Sequence, residues 1–292
     1  MTWSRRSISS PSHADARLAG VLSAAAGLAA AILVLIVLFL LRESWPVLEK
    51  VEWLRYLTDA AWHPSEGLFG LAPMLGATLA SSAGALLLAG SLGVASALFC
   101  RFYAPSSIAR QYRRLLALLA GIPSVVFGFW GLTELVPLIA RWQPPGTSLL
   151  AAILILTLMI LPTVALTADA ALAAVPEGYL QGAAALGLSR SGTILGVALP
   201  AAKGGIVSGL LLAAGLALGE IMAVLMVAGN VVQTPHGLFD PVRTLTANIA
   251  LEMAYATGEH RAALFVSGLV LTGLVMLLAG LALRQGGTRS HV

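Results

Sequence analysis

The feature that most constrains this chain is the spacing of its charges. No charged side chain occurs in residues 18–41, 67–100, 142–168 or 262–283, and residues 115–140 and 204–239 hold one each, Glu134 and Glu220. A helix rises 1.5 Å per residue, so about 20 apolar residues cross the roughly 30 Å hydrocarbon layer of a bilayer. Charged residues make up 10% of the 292, against about 25% in a soluble domain. So few charges cannot clothe a water-soluble globule of this size, and a 58% hydrophobic composition excludes disorder. The sequence therefore specifies an all-α integral membrane protein with six transmembrane helices, expected near 18–41, 72–100, 115–140, 142–172, 204–229 and 262–283. The corresponding organisation is a tail (1–17), a first transmembrane helix (18–42), an extracytoplasmic loop (43–71), a membrane core (72–285) and a second tail (286–292).

Sidedness follows from the basic residues. With the N-terminus cytoplasmic, the inner segments hold Arg5, Arg6, Arg17, Arg101, Arg110, Arg113, Arg114, Arg190, Lys203, Arg284 and Arg289. The outer segments hold only Arg42, Lys50, Arg55, Arg141, Arg243 and Arg261. Both termini are expected in the cytoplasm of a multi-pass protein of the cell inner membrane. The first apolar run is too long for a cleaved signal peptide and lacks an A-x-A site, so it reads as a retained anchor. A net charge of +4 with scattered basic residues gives no nucleic-acid footprint. One cysteine, Cys100, excludes an internal disulfide and a cysteine-based metal cage.

Several connections carry their own signals. Residues 43–71 include Trp45, Trp53, Tyr56 and Trp62, residues that favour the membrane interface. Residues 101–114 read as a short inner loop whose four arginines face anionic lipid. In 229–261, Asp240-Pro241 reads as a helix start. Thr244, Asn248 and Glu252 then recur every four residues beside Leu245, Ile249 and Met253. This pattern predicts a short amphipathic helix, either interfacial or re-entrant and pore-lining.

The connection between the fourth and fifth spans is the most informative. Pro176 should start a helix, Gly187 should end it in a left-handed cap, and Ser189 should cap a second short helix closing near Leu199-Pro200. The run Gly182-Ala-Ala-Ala185 would give the first helix a smooth surface that another protein's groove could approach. This segment resembles the EAA loop of type I ABC importer permeases, which have a MetI-like fold. Gln181, Gly182 and Ala183 match the start of that motif, Gly187 its glycine, and Val197, Leu199 and Pro200 its end. The resemblance implies a cytoplasmic hairpin that docks on an ATPase subunit. Gln181 stands where the family has glutamate, which removes a charge from that contact.

Further motifs narrow the resemblance. Gly121-Ile-Pro-Ser-Val-Val-Phe-Gly-Phe-Trp-Gly131, the segment 217–230 around Gly219-Glu220, and 241–252 together are similar to PstC-type permease subunits of phosphate-specific importers. In that family an arginine commonly stands four residues before the glutamate, where this chain has Leu216. An anion in a low-dielectric path needs donors or cations, so the leucine weakens this subunit's direct hold on the cargo. Glu220, a lone acid within a span, reads as a pairing or gating residue. Pro123 and Ser124 are candidates for an anion-facing helix start, and Thr244 and Asn248 for the pathway. Pro162 permits a kink, and Glu134 is expected to pair with Arg141 at the outer interface.

No Walker motif, zinc-protease motif or nucleophile elbow is present, and the five histidines are isolated. The chain carries no visible catalytic or metal site and no bound cofactor. The resemblance implies half of a heterodimeric pore, completed by a PstA-type sister permease and powered by an ATP-binding subunit dimer carrying ATP-Mg. An extracytoplasmic phosphate-binding protein would supply cargo, and membrane lipid would surround the whole. Phosphate is the expected cargo. Phosphonate, sulfate, molybdate or tungstate are alternatives, and a non-transporting membrane assembly or sensor protein is the contrasting class.

Overall fold

The computed structural model describes residues 13–49 and 53–286. The expected tails at 1–17 and 286–292 thus fall mostly outside the described residues. The helices, in chain order, are α1 (His13–Leu48), α2 (Trp53–Thr58), α3 (Ala72–Leu98), α4 (Ser106–Ala120), α5 (Ser124–Trp130), α6 (Val136–Ala140) and α7 (Leu149–Ala173). They continue with α8 (Glu177–Ala185), α9 (Arg190–Thr193), α10 (Leu199–Gly219), α11 (Met222–Val227), α12 (Leu245–Glu252) and α13 (Gly258–Gly286). π-Helical turns extend α3 (Phe99–Tyr103), join α5 to α6 (Gly131–Leu135) and join α9 to α10 (Ile194–Ala198). A two-residue antiparallel pair, β1 (Trp62–His63) with β2 (Leu68–Phe69), closes a small turn before α3.

α7 is the centre of the bundle. It is apolar on every side, the mark of a helix buried all round, and Ile155, Leu156, Ile160 and Val164 are at most 2% exposed. α3, α4 and α10 pack around it. Lipid tails are as apolar as leucine, so close backbone approach supplies much of the packing energy between membrane helices. Gly93 provides such an approach on α3, where a Cβ would lie 2.8 Å from Val164 Cγ1. Gly205 does so on α10, with a Cβ 2.6 Å from that of Ala171. α1 packs chiefly on α13, where Phe39 meets Phe265 edge to face at 5.6 Å between centroids. Its apolar run is otherwise uncovered.

Among the described residues, five helical segments are long and apolar enough to cross a membrane: Arg17–Leu48, Ala72–Tyr103, Leu149–Ala173, Arg190–Gly219 and Gly258–Ala282. The sixth differs from expectation. Residues 115–140 do not form one straight span; Ser106–Ala120 and Ser124–Ala140 meet at 92°, a broken span or a re-entrant loop. Gly121 and Pro123 lie at the break, and proline has no amide hydrogen with which to continue the helical ladder. Residues 106–114, expected as loop, are the first turns of α4. Pro162, by contrast, sits inside an unbroken α7.

Other boundaries moved for equally local reasons. α1 continues to Leu48, past the expected loop boundary at 43. The expected interfacial loop contributes to the interior, with Tyr56 and Trp62 buried in a cluster with Leu71, Met74, Leu245 and Leu264. Asp240-Pro241 does not start a helix. The Asp240 carboxylate accepts the His236 and Gly237 amides, each at 2.8 Å, which holds it below the usual carboxylate range. Val242 then bridges in parallel to Gly229, and α12 begins only after Thr244.

Candidate coupling and translocation site

The hairpin between α7 and α10 forms largely as its residue types dictate. Pro176 precedes α8, whose first turn carries Glu177. Gly187 has φ +71°, a left-handed conformation that costs an L side chain about 1–2 kcal/mol. The Ser189 hydroxyl accepts the Gly192 amide and caps α9. The second arm does not close at Leu199-Pro200. It runs through the π-turn into α10, so Pro200 lies inside a continuous helix, just after the π-turn Ile194–Ala198, where proline supplies no amide hydrogen to the helical ladder. Displacement of the hairpin would therefore be transmitted directly along a 30-residue apolar helix, Arg190–Gly219. The Arg190 guanidinium lies 5.3 Å from the Tyr103 ring centroid, which ties the hairpin to the end of α3.

The hairpin keeps most of the expected small-residue face, with Gly182, Ala184 and Ala185 outward and Ala183 turned in. Ala183 is 4% exposed and faces the protein interior. The outward residues are Gln181, Gly182, Ala184, Ala185 and Leu186, with Leu186 82% exposed. Val197 and Leu199 are half-buried and Pro200 is exposed.

The second region is the break after α10. Glu220 leaves the helix with ψ 132°, and its carboxylate accepts the Ala223 amide at 3.0 Å at the start of α11. The Glu220 carbonyl accepts the Thr246 hydroxyl at 2.8 Å. No basic side chain among the described residues pairs with Glu220, which stabilises a helix break by capping. Its neighbour Leu216 is 52% exposed on an uncovered face of α10. Pro123 precedes α5 and is exposed, Ser124 is half-buried, and α5 packs on α11 through Gly128, where a Cβ would lie 2.8 Å from Ala223 Cα. Glu134 and Arg141 border one open pocket beside Trp130 and Thr133, but they do not form the expected ion pair.

Thr244 and Asn248 are buried. The Thr244 hydroxyl caps α12 by accepting the Ala247 amide, and the Leu245 amide donates to the Thr78 hydroxyl on α3. Asn248 Oδ1 accepts Arg243 Nη1 at 3.1 Å. Arg243 also donates to Glu252 at 2.6 Å and, through Nε, to the Asn230 carbonyl at 2.9 Å. Glu252 further receives Trp62 Nε1 at 3.0 Å and shares a 2.7 Å contact with His260 Nε2. This buried network joins β1, the 229–243 connection, α12 and α13. Sequence reading placed Glu252 on the α12 repeat but missed the network, because Trp62 lies 190 residues away from it. A second missed pair, Arg113 with Asp169, links α4 to α7 through two bonds of 2.7 and 2.9 Å.

Comparison with known proteins places this geometry. Residues 89–285 match the family described as "Binding-protein-dependent transport system inner membrane component". The chain is 38% identical to "Probable ABC transporter permease protein YqgH" of Bacillus subtilis, over 75% of this chain and 72% of the relative. It is 34% identical to "Phosphate transport system permease protein PstC" of Mesorhizobium japonicum, over 86% and 83%. An inward-facing MetNI methionine ABC transporter chain superimposes with TM-score 0.57 at 19% identity, over 71% of this chain and 90% of that one, a likeness of fold. The match covers both the hairpin and the helix break, and this chain belongs to the family of inner membrane components of binding-protein-dependent transport systems.

Proposed function

We propose that the chain is one permease subunit of an ATP-driven inorganic phosphate importer. The observation that carries this reading is the similarity, along most of both chains, to relatives named phosphate transport permease. In this scheme both termini lie in the cytoplasm. The outward residues Gln181, Gly182 and Leu186 meet one subunit of an ATPase dimer that holds ATP-Mg, and Gly187 lets the hairpin turn sharply behind them. A PstA-type sister permease covers the face left open by Leu212 and Leu216 of α10, Met222 of α11, and Phe129 and Trp130 of α5. An external phosphate-binding protein docks at the opposite end. Closure of the ATPase dimer pushes the hairpin, and the continuous second arm moves α10 against α7. Glu220, by holding the α10–α11 break, fixes where that motion ends.

One observation favours a second reading: Leu216 stands where the resembling family has arginine, so a related oxyanion remains the alternative cargo. The test is uptake by the complete complex in proteoliposomes. ATP-dependent phosphate accumulation, undiminished by excess sulfate, molybdate, tungstate or phosphonate, is the expected result. Accumulation of one of those anions in preference to phosphate would replace the assignment.

A further inference from the structure

α4 carries three distinct faces. Ala109 and Leu116 are buried against the bundle, and Arg113 is committed to Asp169. Ile108, Leu115 and Leu118 are 53%, 63% and 70% exposed and form an apolar strip. Arg110 and Arg114, about 40° apart around the helix, point away from the bundle beside that strip. No carboxylate among the described residues lies within 4.0 Å of either guanidinium.

The height of these groups is set by α7. From Leu149 to Asp169 the helix rises about 30 Å, one hydrocarbon thickness. With Leu149 taken at one edge of the hydrocarbon, the Arg113–Asp169 pair lies at the other, at the level of the headgroups. Arg114 follows Arg113 directly and Arg110 lies about one turn before it, so both cations share its level, with Ile108, Leu115 and Leu118 alongside.

We propose that this face of α4 is a binding site for an anionic phospholipid. The lipid phosphate sits between Arg110 and Arg114, and an acyl chain lies along Ile108, Leu115 and Leu118. The apolar strip selects a lipid over a soluble acidic protein surface, because such a surface would leave three large hydrophobic side chains in water. The two arginines give a phosphate charge-assisted hydrogen bonds, and the 92° bend after α4 leaves their face uncovered by α5 and α6.

The test is native mass spectrometry of the full chain in neutral detergent, titrated with phosphatidylglycerol or with phosphatidylcholine of the same acyl chains. The wild type should retain phosphatidylglycerol on the order of tenfold more strongly. Arg110→Gln/Arg114→Gln should bring it to the phosphatidylcholine level, and Arg110→Lys/Arg114→Lys should keep most of the preference. Equal retention of both lipids by the wild type overturns the proposal and needs no variant. Undiminished preference in the glutamine variant also overturns it. Displacement of the lipid by millimolar inorganic phosphate would make the site one for the free anion. Loss of ATPase association in the glutamine variant with lipid preference intact would make it a protein contact.

Discussion

Glu252 receives hydrogen bonds from three segments, so its replacement tests how the end of the bundle opposite the hairpin is held. Glu252→Gln keeps the shape but leaves the Arg243 cation, 19% exposed, without its carboxylate at 2.6 Å. Removing one partner of a buried pair costs about 3–5 kcal/mol. The partial exposure of Arg243 argues for the lower end, about 2–3 kcal/mol after solvent screening. The assay is equilibrium unfolding of the full chain in mixed micelles, run as a double-mutant cycle with Arg243→Gln. Each single change should destabilise by roughly that amount. The double variant should lose less than the sum, with a coupling of about 1–2 kcal/mol. Additive effects, or a Glu252→Gln change within about 0.5 kcal/mol of zero, would refute the view that this network holds α12 against α13 and β1.

Three further expectations follow from burial. Leu186→Asp, on an exposed hairpin residue, should abolish co-purification of the ATPase at normal yield, whereas Ala183→Asp should lower the yield itself, since Ala183 faces inward; pull-down with quantitative blotting separates the two. Gly93→Val should force α3 from α7 and destabilise by about 1–3 kcal/mol in the same unfolding assay. The Tyr56 hydroxyl is buried without a hydrogen-bond partner among the described residues, and burial, with a smaller push from Glu259, raises its pKa from 10.0 to about 12. A raised folded-state pKa means stability that is complete below pH 10 and lost as pH rises through about 12. Tyr56→Phe should remove that alkaline loss and be neutral or stabilising by up to about 1 kcal/mol at pH 7, measured by unfolding across that pH range.

Much of the fold was legible in the sequence because a bilayer enforces simple rules. A span needs an uninterrupted apolar run, and four of the six expected spans appear as continuous helical segments close to their anticipated positions, while the fifth, expected at 204–229, runs instead from Arg190 to Gly219. The hairpin was legible too, because Pro176, Gly187 and Ser189 act through their own backbone geometry and hydrogen bonds over three or four residues. Local chemistry misled where two local signals compete. Asp240-Pro241 fits both a helix start and a turn, and the amides of His236 and Gly237 decided for the turn.

Tertiary structure alone decided which face each residue presents and which distant groups meet. Ala183 lies on the buried side of α8 because the π-turn before α10 packs there, and helical periodicity within an all-small run carries no mark of that side. The union of Trp62, Arg243, Glu252 and His260 depends on four segments folding to one point, and no spacing rule reaches across 190 residues. Apolar runs and turn chemistry are properties of neighbours along the chain, so the sequence by itself determined the spans and the hairpin. Side-chain pairing and burial are properties of neighbours in space, and those only the packed bundle could settle.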